Sequence, residues 1–400
     1  MCSGIVVDLW QLRTFSVPRD RKSVTVGSGL TLGNFAYSLY TQAHGIFPTG
    51  HAPSVGITGY VLQGGLSELS NELGLGCDNL EEVRMIKSDG RRVIADATRN
   101  SNLLWASRGG GGGKFGIVYQ MRLSVHPATR YDTFIGFKAT LLNIQLIPRA
   151  LQWLYQWQGG PHSILSRSKI HVQGGKSAVD FRILGSCLAS VSTSDCTTRL
   201  QESGIFDFPW DDYSTIRGNS ALEYLQFMAK GEITTSDFFL TGGVSHSDGS
   251  FRQKSFTYSG VGFNYTLSST PPMTFFDDFF SHILQVCTQS VFSRCVVFIQ
   301  NLDTGITGVD LNATAIFGLR RDRQWIGFQC TGATLQVAGK MLRDLRNHLS
   351  GYTIGSFLNW EDLGLADYKK AYWGDNAARL IKINRQCDPR SLFLSKQPLI

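Results

Sequence analysis

A chain of 400 residues, 42% hydrophobic and 17% charged, has the composition of an ordinary globular protein and the length for two domains. That balance excludes intrinsic disorder, which needs fewer apolar residues and more charge. A net charge of +7 is thin over such a length; the one dense basic stretch, Arg320-Arg321-Asp322-Arg323, is broken by an aspartate and reads as a solvated loop, which argues against a nucleic-acid partner.

The amino terminus has no basic leader and carries Asp8 inside its apolar run, so Ile5 to Leu9 reads as a strand, not a signal peptide. No stretch reaches the roughly twenty apolar residues of a membrane span. Ser23 to Val26 is a second strand running into Gly27-Ser28-Gly29, after which Thr31 caps a helix with Phe35, Leu39 and Tyr40 on one face. Strands over 79–86 and 91–95 are joined at Asp89-Gly90, a hairpin signal. A short helix over 102–107 leads into five consecutive glycines, and a strand over 116–125 ends at Pro127. From residue 130 the texture changes to strands (133–139, 169–173, 179–184) alternating with amphipathic helices. The best helix runs from Phe275 to about Gln289, with Phe276, Phe279, Phe280 and Ile283 on one face and Thr274 as its cap. A last helix spans Asp367 to about Arg385.

Among eight cysteines none forms Cys-x-x-Cys or a zinc spacing with histidine; Cys187 and Cys196 either pair across a short loop or remain buried thiols. The sequons at Asn264 and Asn312 weakly favour secretion, which would require a start upstream of Met1.

Two glycine-rich segments carry the chemistry. The first is Gly50-His51-Ala52-Pro53-Ser54-Val55-Gly56 with Gly59, Gly64 and Gly65; the second is Gly109 to Gly113, then Lys114-Phe115-Gly116-Ile117-Val118. Bare backbone of this kind lets a large flat or charged ligand lie against the main chain. Gly111 to Gly116 formally matches G-x-G-x-x-G, but a helix precedes it and a strand follows, the reverse of a Rossmann turn. A P-loop is excluded because Arg108 and Phe115 stand where it needs glycine and a hydroxyl residue. A ribbon of glycine beside a ligand remains, or a tight loop packed on a strand.

These segments, with Leu73-Gly74-Leu75, Asp78-Asn79-Leu80 and the closing Gly374, Asn376, Arg379-Leu380 and Asp388-Pro389, resemble the berberine-bridge-enzyme-like FAD-linked oxidoreductases from about Gly4 to Gln397, in order. The resemblance implies a two-domain α+β protein with a PCMH-type FAD-binding fold: a flavin domain over 1–126, an antiparallel-sheet substrate domain backed by helices over 127–345, and a carboxy-terminal segment over 346–400 returning to the flavin. It implies cofactor contacts from Gly50, Ala52, Pro53, Ser54, Val55, Gly56, Gly59, Gly64, Gly112, Gly113, Gly116, Ile117, Val118 and Asn376. The expected reaction is hydride transfer from a small-molecule substrate (an alkaloid, sugar or other secondary metabolite) to flavin N5, with oxygen as the electron acceptor.

The chain departs from the family pattern at four places. The Arg-Gly-Gly-Gly-His segment that helps hold the pyrophosphate, and whose histidine often bonds the flavin, would lie upstream of Met1, so the chain reads as shortened. Ala52 stands where many members have a flavin-bonding cysteine, which leaves any FAD non-covalent. Trp360 follows Asn359 where many members have a tyrosine base, and an indole cannot take a proton. Lys114 and Gln63 replace a usual asparagine and glycine, putting a cation near the flavin or in its space. Tyr372 is then the candidate base. A redox-inactive cyclase or isomerase, and a truncated remnant, remain open readings at this point.

Overall fold

The computed structural model describes residues 4–131, 133–156, 165–173, 178–189, 193–230, 260–267, 273–289, 294–302, 304–320, 324–331, 347, 349 and 355–400. Two large antiparallel sheets, each with its own helices, and a two-stranded ribbon of Gly45–Ile46 and His126–Pro127 make a mixed α+β architecture. The first runs in spatial order Phe15–Ser16, Ser23–Gly27, Ile117–Ser124, Leu80–Ile86 and Arg92–Ala95. Alternation puts Val24, Val26, Val83 and Met85 into the core and the intervening residues outward. A register shift between Arg84 and Met85 lets Val118 and Met121, three residues apart, share the buried face.

Helix Leu32–Ala43 lies against this sheet. The Thr31 side chain caps it by accepting from Asn34 N–H at 3.4 Å, and Leu32, Phe35, Ala36, Leu39 and Ala43 are buried. The chain leaves through His44 in the left-handed region, φ 49°.

The second sheet has seven strands, in spatial order Asp212–Gly218, Thr133–Leu141, Val179–Ala189, Leu165–Gln173, Arg294–Asn301, Gln324–Thr331 and Gly260–Leu267. One face, including Ile170, Val172, Phe181, Ile183, Val297, Ile299 and Phe328, packs on helices Ile147–Gln156 and Met273–Cys287 in a single core. Phe276, Phe279, Phe280 and Ile283 are all buried there, as their spacing requires. That helix begins at Met273, so Thr274 lies inside its first turn and is not the cap.

Residues 5–9 form no strand: Ile5 and Val6 are 93% and 75% exposed, and the sheet edge is taken by Phe15–Ser16. The last helix is two helices, Tyr368–Trp373 and Asn376–Cys387, separated at Gly374. Gly374 has φ 48°, and a Cβ there would stand 2.4 Å from the Phe317 ring. Cys187 does pair with Cys196, and a second, unanticipated disulfide joins Cys295 to Cys330, directly opposed on neighbouring strands.

Arg320 is no solvated loop residue; Arg321 to Arg323 lie outside the described residues, as does the expected boundary at 345. Its side chain is fully buried and grips Asp78 with both terminal nitrogens, Nη1 to Oδ2 at 3.0 Å and Nη2 to Oδ1. Nη1 also donates to Ile306 O at 3.0 Å and Nη2 to Thr314 Oγ1 at 3.2 Å. The pair ties the turn before Leu80 in the first sheet to the approach to Gln324 in the second, amid Cys77, Leu302, Ile306, Leu319 and Trp325. Removing one buried partner leaves the other uncompensated. Arg320→Leu should therefore cost about 3–5 kcal/mol in denaturant unfolding, and adding Asp78→Asn should recover part of that loss.

Candidate cofactor site

The first glycine segment is laid across the start of helix Leu32–Ala43. Gly33 N–H donates to Pro53 O at 2.9 Å, Leu32 N–H to Val55 O at 2.8 Å, and Ile57 N–H to Leu30 O at 3.0 Å. Pro53 is buried and Ser54 half-buried, whereas Ala52, Val55 and Gly56 stand at the surface. The next helix, Ile57–Leu62, buries Ile57, Tyr60, Val61 and Leu62, which leaves Gly59 outward. A Cβ built on Gly56 or Gly59 would meet nothing within 4 Å.

Helix Ser101–Ser107 delivers the second segment onto the first. Gly111 N–H donates to Leu62 O at 3.1 Å, joining the glycine run to the end of the helix that carries Gly59. Gly112 and Gly113 are exposed; a Cβ on Gly113 would meet nothing within 4 Å, and one on Gly112 only Leu62 at 3.8 Å.

Loops without side chains are held by side chains from elsewhere. Asn359 accepts from Gly65 N–H at 2.9 Å through Oδ1 and donates through Nδ2 to Tyr60 O at 3.1 Å and Gly59 O at 3.4 Å. Trp373 Nε1–H donates to Gly109 O at 3.1 Å, and Asn384 Nδ2 to Lys114 O at 2.5 Å. Lys114 is buried and points to the tail, its Nζ donating to Ser395 Oγ at 3.0 Å and Gln397 O at 2.9 Å. It therefore neither charges nor fills the exposed glycine face.

The sequence-predicted residues separate into two groups. Ala52, Val55, Gly56, Gly59, Gly112 and Gly113 lie exposed on the two joined segments, with Pro53 and Ser54 supporting them. Gly50, Gly64 and Gly116 are glycine for packing: a Cβ would press the Tyr60 ring at 3.1 Å, the Phe357 ring at 2.8 Å and Ile86 O at 2.8 Å. Ile117 and Val118 belong to the central strand of the first sheet, and Asn376 Nδ2 bonds Ala315 O at 3.4 Å.

Tyr372 is not placed as a base. It is buried in the core of the first sheet, its oxygen accepts from Asp362 N–H at 2.6 Å, and desolvation raises its pKa well above the usual phenol value. Trp360 packs edge-on against Phe298 and Trp325, with centroids 4.9 and 5.1 Å away. Sequence reasoning passed over Glu68, which is 2% exposed, its Oε2 lying 3.2 Å from His51 Nδ1, next to Ala52. Its signal in the sequence was a lone acidic residue between Ser67 and Leu69, just after Gly64-Gly65.

Family models match at both ends of this arrangement: an FAD binding domain over residues 1–96, and the berberine and berberine-like model over residues 356–399, the segment that holds the glycine loops. Together these two matches support a berberine-bridge-enzyme-like FAD-linked oxidoreductase. It is 24% identical to the uncharacterized FAD-linked oxidoreductase YgaK of Bacillus subtilis (strain 168) over 405 residues, spanning 99% of this chain and 81% of that one. It is 31% identical to the monolignol oxidoreductase AtBBE-like 13 of Arabidopsis thaliana over 156 residues, 38% of this chain and 28% of that one. In fold it is similar to Physcomitrella patens BBE-like 1, with a TM-score of 0.81, 17% identity and coverage of 98% and 80% of the two chains. The xylooligosaccharide oxidase of Myceliophthora thermophila C1 superposes with a TM-score of 0.79 at 20% identity, covering 98% and 81%.

The residues present fit the family's cofactor. At Gly56, Gly59 and Gly113 the backbone is uncovered and a side chain would project into open space, the surface a flavin nucleotide needs for close approach. The methyl of Ala52 offers no atom for a covalent bond.

Lys114 provides a test of how the tail closes on the loop. Desolvation lowers its pKa from the ordinary 10.5, so the unfolded chain holds this proton more tightly. Stability must then rise with pH between the folded value and 10.5, and a neutral amine still keeps enough N–H groups for both tail bonds. Denaturant unfolding across alkaline pH should show wild type gaining on Lys114→Met as pH approaches 10.5; a parallel pair of curves would exclude this coupling.

Proposed function

We propose that this protein binds FAD non-covalently and oxidises a small secondary metabolite at a carbon bearing a hydroxyl or amine, with oxygen as the electron acceptor. The reading rests on one observation: the Gly111 N–H to Leu62 O bond brings two glycine segments together with their uncovered residues exposed. Bound FAD would supply the hydride acceptor. Gly56, Gly59, Gly112 and Gly113 would let the cofactor approach the backbone, and Asn359 would hold Gly59 and Gly65 beneath it. Alcohol and sugar chemistry is supported by relatives named for monolignols, chitooligosaccharides and xylooligosaccharides.

His51 is proposed as the proton acceptor in place of the missing tyrosine. His51 Nδ1 lies 3.2 Å from Glu68 Oε2, so the buried carboxylate would stabilise the imidazolium formed when Nε2 takes the proton. At 33% exposure the His51 side chain is reachable by a small molecule while Glu68, at 3%, is not.

Purified protein is expected to be yellow, and acid precipitation should leave the flavin in the supernatant. Ala52→Cys should carry flavin into the pellet. Colourless protein that also takes up no added FAD would overturn the oxidoreductase reading and favour a cofactor-free role for the same fold. With a turned-over substrate in hand, His51→Gln should lower kcat by about 10²–10⁴-fold at unchanged flavin content; an unchanged kcat would remove the base assignment alone.

A further inference from the structure

We propose that Cys287, Cys295 and Cys330 form a redox-gated three-thiol site for a trivalent thiophilic ligand of the arsenous acid class. Their sulfur atoms all lie within 4.8 Å of one another. Cys287 closes helix Met273–Cys287 and is free; Cys295 and Cys330 face each other across neighbouring strands and are joined. All three are buried, at 0%, 0% and 2% exposure, in the core that also holds Phe279, Ile283, Val297 and Phe328.

That surrounding decides the ligand. Ionised sulfur is costly among apolar side chains, so the site favours neutral thiols. Zinc seeks four ligands in a tetrahedron, and three thiolates around a divalent ion would leave net negative charge in an apolar core. Arsenous acid needs neither a fourth ligand nor a charge. Three thiols displace its three hydroxyl groups, three As–S bonds form, three waters leave, and the product is neutral, as the reactants were. Soft sulfur is the matching donor.

The disulfide is the gate. With Cys295 and Cys330 oxidised, a single thiol remains and cannot close the shell. A phosphine reductant takes the bond apart: the phosphine gains oxygen from water, and the two sulfurs gain the two protons. Entry needs only local opening, because Cys287 ends its helix, Cys295 is the second residue of its strand and Cys330 the penultimate of its own.

The test uses the full chain carrying Cys187→Ser and Cys196→Ser, which removes the other disulfide pair. Phosphine-reduced protein is titrated with arsenite and read by intact mass and by arsenic X-ray absorption. We expect a one-to-one adduct with the mass of arsenic less three hydrogens and three sulfur neighbours, absent without reduction. Cys287→Ala should weaken binding by at least about tenfold, as for a lost coordination partner. An adduct indifferent to Cys287→Ala, binding to the unreduced protein, or two sulfur neighbours would overturn the proposal. The coordination number is read on protein that retains all three cysteines, so it decides the matter even if the alanine variant folds poorly. Flavin content does not enter the readout, so the outcome is separate from the oxidoreductase reading.

Discussion

The amide of Asn359 is the contact on which the glycine face depends. Its three hydrogen bonds engage Gly59 O, Tyr60 O and Gly65 N–H, so one planar group fixes both the end of helix Ile57–Leu62 and the turn that leaves it. A glycine-rich segment has little side-chain burial with which to hold a conformation, and glycine loses more backbone freedom on ordering than any other residue. The missing anchorage comes from the carboxy-terminal end: Asn359, then Trp373 on Gly109 O, then Asn384 on Lys114 O. The carboxy-terminal segment closes on these loops because glycine-rich backbone has few side chains of its own to hold it.

The same logic continues beneath the face. Gly76 N–H and Cys77 N–H reach back to Gly65 O and Gly64 O, both at 2.8 Å, which places Asp78 just below the turn. Asp78 Oδ2 accepts Leu75 N–H at 2.8 Å while Arg320 occupies both carboxylate oxygens. A path of backbone bonds and one buried ion pair thus runs from the glycine turn to the approach of the second sheet. Trp360, the neighbour of Asn359, ends against Phe298 and Trp325 of that sheet. The exposed glycine face and the side of the second sheet carrying Phe298 and Trp325 are linked by adjacent residues, 359 and 360.

Some local signals in the sequence proved dependable, whereas Thr274 as a cap and residues 5–9 as a strand did not, and long-range pairings were not legible. The Thr31 cap, the turn at Asp89-Gly90 and the phenylalanine stripe at 276, 279 and 280 depend on residues within one turn or one hairpin of each other, and each appears in the fold. Arg320 looked like surface because its three basic or acidic neighbours set the local texture; its partner lies 242 residues earlier. Cys330 had no legible partner because Cys295 is 35 residues away and opposite only after two strands pair. A single helix from Asp367 to about Arg385 overlooks Gly374, where φ is 48° and the Phe317 ring leaves no space for a side chain. Among the glycines of the candidate site, composition could not separate those that face open space from those pressed on Tyr60, Phe357 or Ile86, because both duties select the same residue.

A cofactor without a covalent bond is retained only as well as its cradle stays closed. In this chain that closure rests on contacts of the last forty-odd residues, and several are single hydrogen bonds to backbone carbonyls, each with a net contribution of about 1 kcal/mol. Such bonds act together because they share one loop, so loosening the tail and losing the cofactor become the same event seen from two ends. By linkage, a ligand that binds the closed form stabilises the tail by as much as the docked tail tightens the ligand. A covalent tether would uncouple the two. With Ala52 offering no such bond, the proposed FAD would stay coupled to the tail, and the packing of Tyr372, Trp373 and Leu380 into the first core would influence its affinity from outside the exposed glycine face.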